Sequence, residues 1–89
     1  MPKKIAIIVR DRQHEALRVA VGATLANDEV SVFIMDEKLE EDYDIGVNIQ
    51  MLTDLKVRIF TNAGDERFEQ KSTEEVARML PGYDVVIPY

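Results

Sequence analysis

The chain contains no cysteine. That excludes, within these residues, a disulfide framework, a thiolate zinc site, an iron–sulfur cluster and a thiol nucleophile. Long apolar runs are missing too. No segment approaches the ~20 apolar residues of a membrane span. The apolar run behind Lys3-Lys4 extends only from Ile5 to Val9, too short for the core of a signal peptide. Basic residues are scarce: 11 Lys and Arg stand against 17 Asp and Glu, a net charge of −6. DNA, RNA and anionic membranes need clustered Lys and Arg, so no nucleic acid and no membrane partner is expected. Glycine is sparse as well. The first turn reads Arg10-Asp11-Arg12-Gln13, with no G-x-G-x-x-G for a dinucleotide. The acidic stretch Asp36 to Asp44 lacks EF-hand ligand spacing. The expectation is a soluble cytoplasmic protein with no cofactor and no metal.

The 89 residues are read as one domain, 1–89, with an ordinary hydrophobic fraction of 46%. A chain this short buries only about 60–65% of its unfolded surface. Its stability margin is thin, and association would widen it.

Lys4 to Asp11 organises the reading. Ile5 to Val9 is almost wholly apolar without strict alternation, the pattern of a strand covered on both faces. A helix follows from about Arg12 to Ala26, with Asp11 as its N-cap. Leu17, Ala20, Val21, Thr24 and Leu25 make its buried face by i, i+3, i+4, i+7, i+8 spacing. Val19, Ala23 and Ala26 add a second, weaker strip. Gly22, unfavourable in a helix by about 1 kcal/mol, leaves room for a close approach to the sheet or to a partner. Asn27-Asp28 ends the helix. Val30 to Met35 is a second strand, closed by Asp36.

Asp36 to Asp44 reads as a solvated loop. Ile45, Ile49 and Leu52 mark a short helix capped by Asp44. Lys56 to Phe60 is the third strand, and Thr61 to Asp65 has turn composition. Ser72-Thr73-Glu74-Glu75 is a capping box, opening a helix whose buried face is Val76, Met79 and Leu80. Pro81-Gly82 stops it. Tyr83 to Ile87 is the fourth strand. The order is β-α-β-α-β-α-β: an α/β fold, a three-layer α/β/α sandwich on a mostly parallel four-stranded sheet.

The stretches "KIAIIVRD", "HEALRVAVGATLANDEVSVFIMD", "LKVRIFTNAG" and "LPGYDVVIPY" resemble the DsrE/DsrF-like family, small α/β proteins of sulfur-relay and sulfur-oxidation systems. The resemblance covers nearly the whole chain. It implies the sandwich fold and assembly into dimers, trimers or hexamers. It also implies a persulfide-carrying cysteine just after the third strand, in the sulfur-carrying members. Here Thr61-Asn62-Ala63 occupies that neighbourhood. The fold carries over and the sulfur-carrier activity does not. Members are often longer, with a further helix and strand.

In parallel α/β sheets ligands sit beyond the carboxyl ends of the strands. The candidate ligand-binding residues are therefore Arg10, Asp11, His14, Asp36, Thr61 and Asn62. Thr61 with His14, the sole histidine, would form a nucleophile and base. The competing reading of Thr61 and Asn62 is a strand end and a turn, and it is the stronger. Asp11 and Asp36 would suit Mg²⁺ as in a response-regulator receiver, but no phosphoacceptor aspartate follows the third strand. Helix cap and turn residue are the better assignments for that pair.

The function expected is a non-catalytic DsrE/DsrF-like protein, an accessory or regulatory binding subunit linked to sulfur metabolism. It is expected to be a homo-oligomer with a protein partner of sulfur-relay type. The alternative is a small-molecule-binding protein or enzyme using the loops after strands one and three.

Overall fold

The computed structural model describes residues 2–89. The elements are β1 (Lys4–Val9), α1 (Gln13–Leu25), β2 (Glu29–Ile34), α2 (Tyr43–Asp54), β3 (Arg58–Thr61), β4 (Glu69–Gln70), α3 (Thr73–Met79), a 3₁₀ turn (Leu80–Gly82) and β5 (Val85–Pro88). The strands form one sheet in the order β4-β3-β2-β1-β5. Every pairing is parallel.

The chain winds outward from β1 to β4, then returns through α3 to lay β5 on the other side of β1. Right-handed crossovers put helices on opposite faces when the winding direction reverses. Accordingly, α1 and α2 cover one face. Ile5, Ile7, Val9, Val32 and Ile34 pack there against Ala16, Leu17, Ala20, Ile45 and Leu52. The other face presents Ala6, Ile8, Phe33, Met35 and Phe60 to Val76 of α3. Phe33 stacks on Phe60 with ring centroids 5.0 Å apart. Tyr83 meets Phe33 edge-on at 5.7 Å.

Five strands, not four, make the sheet. The added strand, β4, is two exposed residues with no apolar content, so no hydrophobic pattern marks it. It forms because β3 would otherwise present an unpaired edge. Phe60 pairs with Glu69 and Thr61 with Gln70, and the Lys71 amide donates to the Thr61 carbonyl at 2.9 Å. The Arg58 guanidinium adds hydrogen bonds of 2.9 and 3.0 Å to the Glu69 carboxylate across the pair. Residues 62–68 join these parallel strands without a helix, shorter than the dozen or more residues such a crossover ordinarily needs.

Helix boundaries differ from the sequence reading in two places. Asp11 does not cap α1. The N-cap is Arg12, with no side-chain bond, and the Asp11 and Arg12 amides instead donate to the Tyr89 carbonyl at 3.3 Å. Asp42, not Asp44, caps α2, accepting from the Asp44 and Ile45 amides at 2.9 and 3.3 Å. The capping box of α3 is present in both directions. Both α1 and α2 end in the paired bonds of a Schellman motif, with Asn27 at φ 73° and Lys56 at φ 66° in the left-handed position usually given to glycine.

Val19 and Ala23 are half-buried against the core, because α1 and α2 lie side by side. The second apolar strip of α1 is therefore largely used within the chain. A Cβ on Gly22 would meet nothing within 4 Å, so no close approach to the sheet requires glycine there. Leu25, expected on the buried face of α1, is instead 64% exposed at the helix end, and the rest of the open apolar surface lies mainly on α2: Tyr43, Val47 and Met51, with Leu55 just beyond the helix. No helix is long and apolar enough to cross a membrane among the described residues.

Candidate functional site

The carboxyl ends of β1, β2 and β3 deliver Arg10, Asp36 and Asn62 to one edge of the sheet. The three are joined. Arg10 Nε donates to Asp36 Oδ2 at 3.0 Å. The Asp36 amide donates to Asn62 Oδ1 at 2.6 Å. Asn62 Nδ2 donates back to Asp36 Oδ1 at 3.3 Å and onward to Thr73 Oγ1, at the start of α3, at 2.8 Å. Asn62 thus clamps the strand ends to α3. Asp36 is held at φ 73°, an uncommon conformation outside glycine, at which Asp is among the better-tolerated residues. The Arg10 hydrogen bond, aided by that from Asn62, holds the Asp36 carboxyl below its ordinary pKa.

The remaining candidates lie apart from this network. Thr61 is fully buried, and its Oγ1 accepts from the Ala63 amide at 3.0 Å. That is the local turn bond expected of a threonine ending a strand. His14 turns instead toward Asp42, with Nε2 3.5 Å from Oδ2. No Thr61–His14 pair forms. Asp11 is exposed. Asp36 is engaged by Arg10, a poor arrangement for sharing Mg²⁺ with Asp11. Among the described residues, His14, Asp42 and Asp44 offer ligand atoms within 4.8 Å of one another and could hold a metal ion. Asp42 Oδ1 is already occupied by the two amides of its helix cap.

Two polar residues passed over in the sequence shape this edge. Gln13 is buried. Its amide nitrogen donates to the Lys38 carbonyl at 3.2 Å, and its oxygen accepts from the Glu40 amide at 2.9 Å. It pins the acidic loop to α1. Its signal was the helical period: 13, 16, 17, 20 and 21 form one buried stripe, and the stripe begins with a polar residue. Asp65 is the other, also buried. Arg67 donates to it from Nε at 3.0 Å, from a terminal nitrogen at 2.6 Å and from the backbone at 3.1 Å. An Asp-x-Arg spacing within a turn carries almost no signal by itself. Lys38, Leu39, Glu41, Ile45, Asp65 and Arg67 line part of a cavity of about 450 Å³ above this ion pair.

The Arg67 side-chain hydrogen bonds hold the Asp65 carboxyl below its ordinary pKa. A depressed carboxyl pKa stabilises the fold above the unfolded value and loses that contribution as pH falls through the folded value. The loss therefore begins below about pH 4. Asp65→Asn should melt at a lower temperature than the wild type at pH 7. The gap should narrow on acidification to about pH 2. A gap independent of pH would show that the ionised form of Asp65 contributes nothing.

No family model matches the chain, and no curated protein matches it.

Proposed function

We propose that the chain is a non-catalytic cytoplasmic protein of the DsrE/DsrF type, an accessory or regulatory binding subunit linked to sulfur metabolism. The observation that carries this reading is the state of the edge after β3. The sulfur-carrying position of the resembled family falls at Thr61 to Ala63, where no thiol stands. The Thr61 hydroxyl is buried and bonded to the Ala63 amide. Asn62 ties Asp36 to Thr73. A nucleophile needs an adjacent base and an open reacting position, and this hydroxyl has neither. The absence of a free nucleophile at this edge supports a binding role over a catalytic one.

The surface for binding is the exposed face of α2, where Tyr43, Val47 and Met51 stand out from solvent-facing polar neighbours. A homo-oligomer built on two-fold pairing of this face would cover it, and a sulfur-relay protein is the second partner proposed. Incubation with a cysteine desulfurase and cysteine, followed by intact-mass measurement, tests the non-catalytic part. The expected mass is unchanged. A stable covalent gain of one or more sulfur atoms would overturn it.

A further inference from the structure

On the α3 face, a cavity of about 300 Å³ opens at the carboxyl ends of β1 and β5. This is where the strand order reverses, the place at which open parallel sheets bind ligands. The cavity exists because α3 has only seven residues. Val76 joins the cluster of Phe33 and Phe60, but Val86 on the β5 side stays exposed. Val86 and Pro88 pair with Ala6 and Ile8 and so share their face, and Val86 is 42% exposed. Ile8, Met35, Val76, Leu80, Val86 and Pro88 supply apolar walls.

The polar groups on the wall are Arg10 and Thr73, and no acid lines the cavity. The Arg10–Asp36 contact runs through Nε, which leaves the two terminal nitrogens as an end-on pair. The Thr73 oxygen accepts from Asn62, so its proton remains available to donate. One cation and one hydroxyl donor at the mouth of an apolar cavity match an anionic head on an apolar chain. We infer that this cavity binds a small monocarboxylate with an apolar chain, its head on Arg10 and Thr73 and its tail against Val76 and Val86. The inference goes beyond the accessory-subunit reading, and its failure would leave that reading untouched.

The test is a nuclear magnetic resonance titration of the full chain with octanoate, with 1-octanol and acetate as controls. Octanoate should give saturable amide shifts at Ile8, Arg10, Val76 and Val86, with a Kd of about 1 mM or tighter. Octanol should bind at least tenfold more weakly, and acetate should not saturate. Arg10→Gln should weaken octanoate about tenfold or more and leave octanol unchanged. Ala77→Phe, on the exposed rim, should abolish both without touching the Arg10–Asp36–Asn62 network. If Arg10→Gln fails to fold, the octanoate-to-octanol ratio and Ala77→Phe decide the matter. No saturable octanoate shift, equal affinity for octanol, or octanoate binding that survives Ala77→Phe would each overturn the inference.

Discussion

Phe33→Ala is expected to lower the unfolding free energy by about 3–5 kcal/mol, and Phe60→Ala by a similar amount. Both rings are fully buried and stacked on each other at 5.0 Å. Their neighbours are thin on this face: Val76 is the one buried residue that α3 contributes. A seven-residue helix cannot close over the void that either truncation leaves. Single domains hold about 5–15 kcal/mol in total, and a chain of 89 residues belongs near the low end of that range. Much of either variant should be unfolded at 37 °C. Ile7→Ala and Ile34→Ala, on the opposite face and also fully buried, should each be destabilised by about 2–5 kcal/mol. Urea denaturation measures all four. Wild-type midpoints for Phe33→Ala and Ile7→Ala together would mean that neither sheet face is covered as described.

The second large effect is on association. Val47→Glu with Met51→Glu should convert an oligomer into monomers without loss of helix content. Val47 and Met51 are four residues apart on one face of α2, and both are exposed. Charging them leaves the core intact and puts carboxylates into any helix-to-helix contact. Desolvating an unpaired charge at an interface is strongly unfavourable. Val19→Glu with Ala23→Glu should behave differently. Those residues pack against the core between α1 and α2, so charging them should unfold the chain before it dissociates it. Sedimentation equilibrium with circular dichroism separates the two outcomes. A wild-type mass fixed at the 10.2 kDa of one chain across micromolar concentrations would rule out self-association. Dissociation by the α1 pair alone would move the interface to α1.

The major elements were legible because hydrophobic period specifies them. Ile5 to Val9 and Val30 to Met35 read as doubly covered strands, and all of these residues are buried. The capping box at Ser72 was legible for a similar reason, since its two bonds need only a Ser and a Glu three residues apart. What the period cannot reach was missed. The strand β4 has no buried side chain and is set by the edge of β3. The α1 cap failed because the Asp11 amide turns to the Tyr89 carbonyl, a contact seventy-eight positions away in sequence. The site was legible as a location and not as a network. The rule of strand ends gave Arg10, Asp36 and Asn62, which meet. It also gave Asp11, which is exposed, and His14 and Thr61, whose side chains turn elsewhere. Gln13 and Asp65 were hidden because a buried polar group is recognised by its partners: those of Gln13 lie on a distant loop, and the Asp65–Arg67 pair is two residues apart in a turn without any apolar pattern to mark it as buried.

The proposed role is binding, with no transferable sulfur held on the chain. Native mass spectrometry of the protein purified from its own host tests it most directly, since one spectrum reports chain mass, stoichiometry and bound partner. The expected spectrum shows assemblies that contain the chain at its unmodified mass, paired with itself or with a second protein. A protein that stays monomeric and alone, or that carries covalent sulfur, would contradict it.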